Sequence, residues 1–138
     1  LATVADGGGV VADRSAIEQL LRELYGARRR GDLDAVCRVF AEDAKFKIAG
    51  VSQYASPIAI RAVGIAEIRQ WLALLLKTFQ LSDLNILAIL IEGDSAAVQW
   101  RAQVHSRITG LSVATDLVDL VDTRDRRIVS YTEFLAPR

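Results

Sequence analysis

The run Asp116-Leu117-Val118-Asp119-Leu120-Val121 places acids inside a stretch of strand-forming apolar residues. Successive side chains on a strand face opposite sides, so the partner strand decides which acid meets water. A two-residue turn at Thr109-Gly110 would pair Ile108 with Leu111. It would then set Val104 opposite Thr115, Ala102 opposite Leu117 and Trp100 opposite Asp119. That face is apolar except for Asp119, whereas the other carries Arg101, Gln103, His105, Arg107 and Asp116. An antiparallel sheet buries its apolar face, so Asp119 is expected in an apolar cavity with no cation on its face. Desolvation would then lift its pKa above the ordinary value of about 3.9. A carboxyl kept neutral can donate a hydrogen bond to a ligand oxygen, which is acid–base chemistry.

Other reactive residue types read more plainly. His105 is the only histidine, so metal-ligand spacing is absent, and no acid is fixed beside it by spacing. It reads as a surface or interface residue. Cys37 falls on the apolar side of a short helical pattern with nothing to lower its pKa, which is a core position. Arg28-Arg29-Arg30 precedes Gly31 and reads as cations at the negative end of a helix with a glycine beyond it. An anion site there fits less well with a balanced charge.

The elements that position these residues follow from pattern. Leu84–Ile91, Ser95–Arg107, Ser112–Val121 and Ile128–Phe134 read as four strands. The breaks between them contain Glu92-Gly93-Asp94, Ile108-Thr109-Gly110-Leu111 and a loop from Asp122 to Arg127. Such a meander needs a cover, and the first half of the chain supplies it. Ser15-Ala16-Ile17-Glu18 is a capping box, followed by Ile17, Leu20, Leu21 and Leu24 at helical spacing. Asp32 caps a second helix with Leu33, Val36, Cys37 and Phe40 on one face. Ala44–Ile48 and Ile58–Val63 read as short strands. Gly64 opens a third helix with Ile65, Ile68, Leu72, Leu75, Leu76 and Phe79 inward.

Composition sets bounds. The chain has 138 residues, 51% hydrophobic and 25% charged, as expected of one globular domain. Seventeen basic residues balance seventeen acidic ones, so no electrostatic footprint for nucleic acid or an anionic membrane exists. No apolar run is long enough to span a membrane. A single cysteine fits a reducing compartment, and a cytoplasmic location is expected. Residues 1–14, with Gly7-Gly8-Gly9 but no phosphate-loop context, read as a tail, and 15–138 as a single domain.

Gly31-Asp32-Leu33-Asp34-Ala35-Val36, Phe40-Ala41-Glu42-Asp43-Ala44 and Gly64-Ile65-Ala66-Glu67-Ile68-Arg69 resemble the nuclear transport factor 2-like superfamily, from about Ser15 to the end. This group includes ketosteroid isomerase, SnoaL-type cyclases and limonene epoxide hydrolase. The resemblance implies an α+β, cone-shaped fold, with three N-terminal helices packed in a strongly curved, mostly antiparallel sheet and a pocket at the open end. Asp116–Val121 is similar to the isomerase strand that carries an oxyanion-hole acid, which falls at Asp119. The isomerase's tyrosine falls at Leu24, next to Tyr25, and its general base falls at Ile48, so steroid isomerisation itself is not expected. By the same register Tyr131 and Glu133 join Asp119 as catalytic candidates. The hydrolase's Asp-Arg-Asp set, which activates water, maps its arginine to Arg101, one aspartate to Gln103 and the other to Glu133. A β-bulge would be needed to turn Arg101 and Gln103 inward.

The expected ligand-binding set is Leu24, Tyr25, Phe46, Ile48, Tyr54, Trp71, Trp100, Ala102, Val104 and Leu117. The implied function is binding of a small, mostly apolar molecule. Isomerase, cyclase or hydrolase chemistry would follow without metal or organic cofactor; the alternative is a non-catalytic ligand-binding or dimerisation module. A homodimer is expected, because the outer sheet face is long and Leu84–Ile91 is apolar on both sides.

Overall fold

The computed structural model describes residues 13–52 and 55–138. Three helices, α1 (Arg14–Arg30), α2 (Leu33–Arg38) and α3 (Ile65–Thr78), accompany six strands. These are β1 (Phe40–Ser52), β2 (Ala55–Val63), β3 (Phe79–Glu92), β4 (Ser95–Ser106), β5 (Ser112–Arg124) and β6 (Arg127–Pro137). They form one sheet in the order β2-β1-β6-β5-β4-β3. Only β1 and β6 pair in parallel; the other neighbours are antiparallel. The sheet is curved and unclosed, and the fold is α+β with a mostly antiparallel sheet. Tyr54 and residues 1–12 lie outside the described residues.

The helices form for local reasons. Asp13, not Ser15, caps α1: its Oδ1 accepts from the Ser15 N–H at 2.9 Å. Ile17, Leu20, Leu21, Leu24 and Tyr25 make the buried stripe of α1. Gly31 ends the helix at φ 71°, and the Asp32 N–H closes onto Ala27 O at 3.0 Å. Asp32 then caps α2 through the Ala35 N–H at 3.1 Å. Phe79, expected on the inner side of α3, instead begins β3 and is partly exposed.

Every strand but β4 exceeds its sequence-derived length; β4 ends one residue sooner, at Ser106. The loop expected at Asp122–Arg127 shrinks to Asp125-Arg126, both with positive φ (51° and 60°). Two left-handed residues match the right-handed twist of the paired strands, so the ladder continues to Arg124 and restarts at Arg127. The β4–β5 connection moves the other way. Ser106 Oγ accepts from the Ile108 and Thr109 N–H groups at 3.2 Å each, so the turn is wider than two residues. The register shifts by two: Val104 pairs with Val113, Ala102 with Thr115, Trp100 with Leu117 and Val98 with Asp119. A two-residue shift leaves every side chain on its expected face. β3 carries two register shifts against β4, with Asp83 at φ 50° near the first. Bulges of this kind bend an edge strand.

Candidate active site at the cavity floor

Burial along β5 alternates: Thr115, Leu117, Asp119, Val121 and Thr123 face the core. On β6 the matching residues are Tyr131 and Glu133, with Glu133 directly across from Asp119 and Tyr131 across from Val121. The inward facing of Tyr131 and Glu133 thus follows from the β5–β6 pairing. From α1, Tyr25 and Arg28 point at the same place, and from β4 comes Trp100. Asp119 is fully buried and Glu133 is only 2% exposed.

These side chains form one hydrogen-bonded cluster. Tyr25 Oη lies 2.5 Å from Asp119 Oδ2, and Trp100 Nε1 donates to the same oxygen at 2.8 Å. Tyr131 Oη lies 2.5 Å from Asp119 Oδ2 and 2.8 Å from Glu133 Oε2. Arg28 NH1 donates to Tyr131 Oη at 2.9 Å and pairs with Glu133 Oε2; NH2 lies 3.4 Å from Oε1. Arg28 also stacks over Trp100, its Cζ 5.0 Å from the ring centroid. Phe46 lies parallel to Tyr131 at 5.5 Å and fixes its ring. Among the described residues, Asp119 Oδ1 is the one sealed side-chain polar atom without a partner.

Arg28 corrects two expectations: it is not an exposed end-of-helix cation, and it stands beside Asp119, whose face therefore does hold a cation. The signal was in the sequence. Arg28 follows Leu24 by four residues and Leu21 by seven, so it extends the apolar stripe of α1 onto the core side. Arg29 and Arg30, off that stripe, are exposed.

The two acids differ because their neighbours differ. Burial pushes the Asp119 carboxyl well above the usual range, and the Glu133 charge adds to the rise. Arg28 and the tyrosines only partly oppose it. Burial also acts to raise Glu133, but the Arg28 guanidinium and the surrounding hydrogen bonds outweigh it and hold the carboxyl below its ordinary value. Burial and Asp119 together raise Tyr25 and Tyr131, so both phenols stay protonated.

Beside the cluster lies a cavity of about 790 Å³. Its wall is mostly aliphatic, from α3 (Leu72, Leu75, Leu76) and the inner faces of the strands. Arg28 and Glu133 are the charged groups at its floor; Arg138 is the other charged residue on its wall. Of the expected binding residues, Ile48, Val104 and Leu117 stand on the wall with Glu133. Leu24, Tyr25, Phe46, Trp100 and Ala102 are buried in the core, and Trp71 packs half-buried against it. Asp119 and Tyr131 sit one layer behind Glu133 and touch the cavity through it. Ile48, at the position where the isomerase has its base, pairs with Glu133 across β1–β6.

The hydrolase-like placement of Arg101 does not hold. Arg101 is on the outer face, where Nε donates to Asp116 Oδ1 at 3.2 Å. His105 Nδ1 is 2.9 Å from Ser112 Oγ. Cys37 is buried, and burial pushes its thiol up, as a core position requires.

A curved sheet, three covering helices and a cavity floored by buried acids define a protein of the nuclear transport factor 2-like, ketosteroid isomerase-like class. The SnoaL-like domain model matches residues 21–131, and the chain belongs to that family. No curated protein matches it. Among solved structures, a candidate isomerase from Bacillus subtilis superposes with a TM-score of 0.77 at 20% identity, over 88% of this chain and 87% of that one. An NTF2-like protein from Burkholderia xenovorans LB400 gives 0.69 at 19% identity, over 90% and 92%. An epoxide hydrolase of the LEH-like type from M. tuberculosis gives 0.68 at 14% identity, over 88% and 84%. At these identities the likeness is one of fold. No helix among the described residues is long and apolar enough to cross a membrane.

Proposed function

We propose that the chain binds a small, mostly apolar molecule carrying an oxygen function and performs cofactor-independent acid–base chemistry on it. The observation that carries this reading is the Arg28–Glu133 pair on the floor of an otherwise aliphatic cavity. Glu133 is ionised and meets the cavity, so it takes the role of proton acceptor from substrate or from water. Arg28 Nε has no partner among the described residues and supplies an N–H for a ligand oxygen. Because Glu133 already neutralises Arg28, the floor suits a neutral carbonyl, hydroxyl or ether oxygen better than a full anion. Asp119 and Tyr131 act from behind as hydrogen-bonding partners. Two acids and an arginine are also the residue types of the hydrolase's Asp-Arg-Asp set, here with the arginine supplied by α1.

The non-catalytic reading keeps one observation in its favour: Ile48 places an aliphatic wall where the isomerase has its base. The outer sheet face supports pairing of two copies, and the lone Cys37 supports a cytoplasmic setting. The test is a thermal-shift screen with small ketones, phenols and epoxides, followed by turnover assays on the hits. We expect stabilising ligands, and loss of turnover in Glu133→Gln with binding retained. Turnover unchanged in Glu133→Gln would overturn the catalytic assignment, and no stabilising ligand would overturn the binding one.

A further inference from the structure

Two carboxyls and one guanidinium meet at the cavity floor, with Asp119 and Glu133 buried. Among the described residues, the charged or titratable groups facing it are Tyr25 and Arg28 from α1, Asp119 from β5, and Tyr131 and Glu133 from β6. Trp100 from β4 adds a neutral donor. Two carboxylates against one cation would leave a bare buried charge, so one carboxyl keeps its proton. Arg28 lies against Glu133, which leaves the proton on Asp119. The unpartnered Oδ1 of Asp119 fits this state, since the carbonyl oxygen of a neutral acid tolerates isolation better than half a carboxylate.

Tyr131 adds a second count. Its Oη sits within hydrogen-bonding distance of an oxygen on each acid, 2.5 Å from Asp119 and 2.8 Å from Glu133. One hydroxyl carries one proton, and two such contacts need two. The other is the acid proton of Asp119. We infer that Tyr131 is a proton bridge, passing the one shared proton between buried Asp119 and cavity-facing Glu133, so that Glu133 meets a ligand as a base in one state and as an acid in the other. In the transfer, the Asp119 O–H bond breaks as that proton bonds to Tyr131 Oη. The Tyr131 O–H bond breaks as its proton bonds to Glu133 Oε2. The cluster's charge is unchanged, and the new Asp119 carboxylate accepts from Tyr25, Trp100 and Tyr131. Tyr25 touches Asp119 but not Glu133, so it supports that carboxylate without bridging.

The use of this bridge in turnover rests on the acid–base reading of Glu133, but the bridge itself is tested without ligand, so either can fail alone. Infrared spectroscopy of the full chain at neutral pH should give the carbonyl band of one protonated carboxyl. The band should vanish in Asp119→Asn, where Glu133 alone faces Arg28 and stays ionised. Persistence of the band in Asp119→Asn would place the proton on another group and overturn the inference. Carbon-13 carboxyl NMR then follows both acids through a pH titration. Charge coupling between the acids gives common titration steps with or without the hydroxyl, so the reading is the Glu133 carboxyl shift at neutral pH. It should lie between the ionised and protonated values in the parent chain and in Tyr25→Phe, and move to the fully ionised value in Tyr131→Phe; a Glu133 shift unchanged by Tyr131→Phe overturns the bridge. If Tyr131→Phe does not fold, fluorotyrosine at Tyr131 keeps the hydroxyl and makes it more acidic. A bridge then moves both midpoints, whereas movement of only one overturns it.

Discussion

Asp119 and Arg28 show how one residue's neighbours set its chemistry. A raised carboxyl pKa means that the unfolded chain gives up its proton first as pH rises. Asp119 therefore lowers stability from the unfolded value upward, and the penalty levels off above the folded pKa. Glu133 has the opposite sign: its lowered pKa adds stability above the unfolded value, lost as pH falls through the folded one. We expect Asp119→Asn to abolish the first effect and leave the second, so that its stability relative to the parent chain improves as pH rises from acid towards neutral. Chemical denaturation across that range checks it. Arg28→Met strands an ionised Glu133, and removing one partner of a buried pair costs about 3–5 kcal/mol. Arg29→Gln or Arg30→Gln, at an exposed helix end, should cost about 0.3 to 1 kcal/mol. Equal losses at all three positions would return Arg28 to the helix-end role.

At the scale of elements, alternation made the strands and their faces legible, and the stripe Ile17-Leu20-Leu21-Leu24 made α1 legible. Register was less so, because Ser106 captures two backbone N–H groups and widens a turn that Thr109-Gly110 alone would have kept tight. Parity rescued the face of Asp119. Arg28 was masked for a different reason: its place on the stripe of Leu21 and Leu24 marks it as inward, but two further arginines and a terminal glycine present it as one of three helix-end cations. Tyr25, one position from the isomerase's tyrosine, still reaches Asp119 because α1 turns both Leu24 and Tyr25 inward. Gly50 on β1 makes an element-scale prediction. A Cβ there would lie 2.9 Å from Leu135 Cδ1, a flexible side-chain end on the cavity wall. Gly50→Ala should push Leu135 into the cavity and weaken the larger ligands in a homologous series more than the smaller ones. An unchanged size preference in calorimetric titrations would contradict this.

The whole molecule presents an outer sheet face with exposed Leu90, Val118, Leu120 and Phe134. Val118 pairs with Phe134, and Leu90 and Leu120 flank Ala97, so these side chains form one patch across four strands. A patch of this kind is better covered than wet, and a two-fold axis through it is the simplest cover. We expect a dimer mass by light scattering, reduced to a monomer by Leu120→Lys with the cavity intact. A monomer mass for the parent chain at high concentration would remove the expectation.

The parallel β1–β6 pairing and the α1–β6 ion pair also set an order of events during folding. Arg28 and Glu133 are 105 residues apart in the chain, and Tyr25 and Asp119 are 94 apart. A chain emerging from a ribosome has α1 long before it has β6, and until β6 arrives Arg28 is best left in water. The sheet must be largely in place before that guanidinium can shed its hydration, so the ion pair locks a nearly finished structure and does not nucleate it. Late contacts slow unfolding without speeding folding. In Arg28→Met, stopped-flow measurements should therefore show an almost unchanged refolding rate and a much faster unfolding rate. The cluster at the cavity floor would then be the latch that decides how long each molecule, once folded, stays folded.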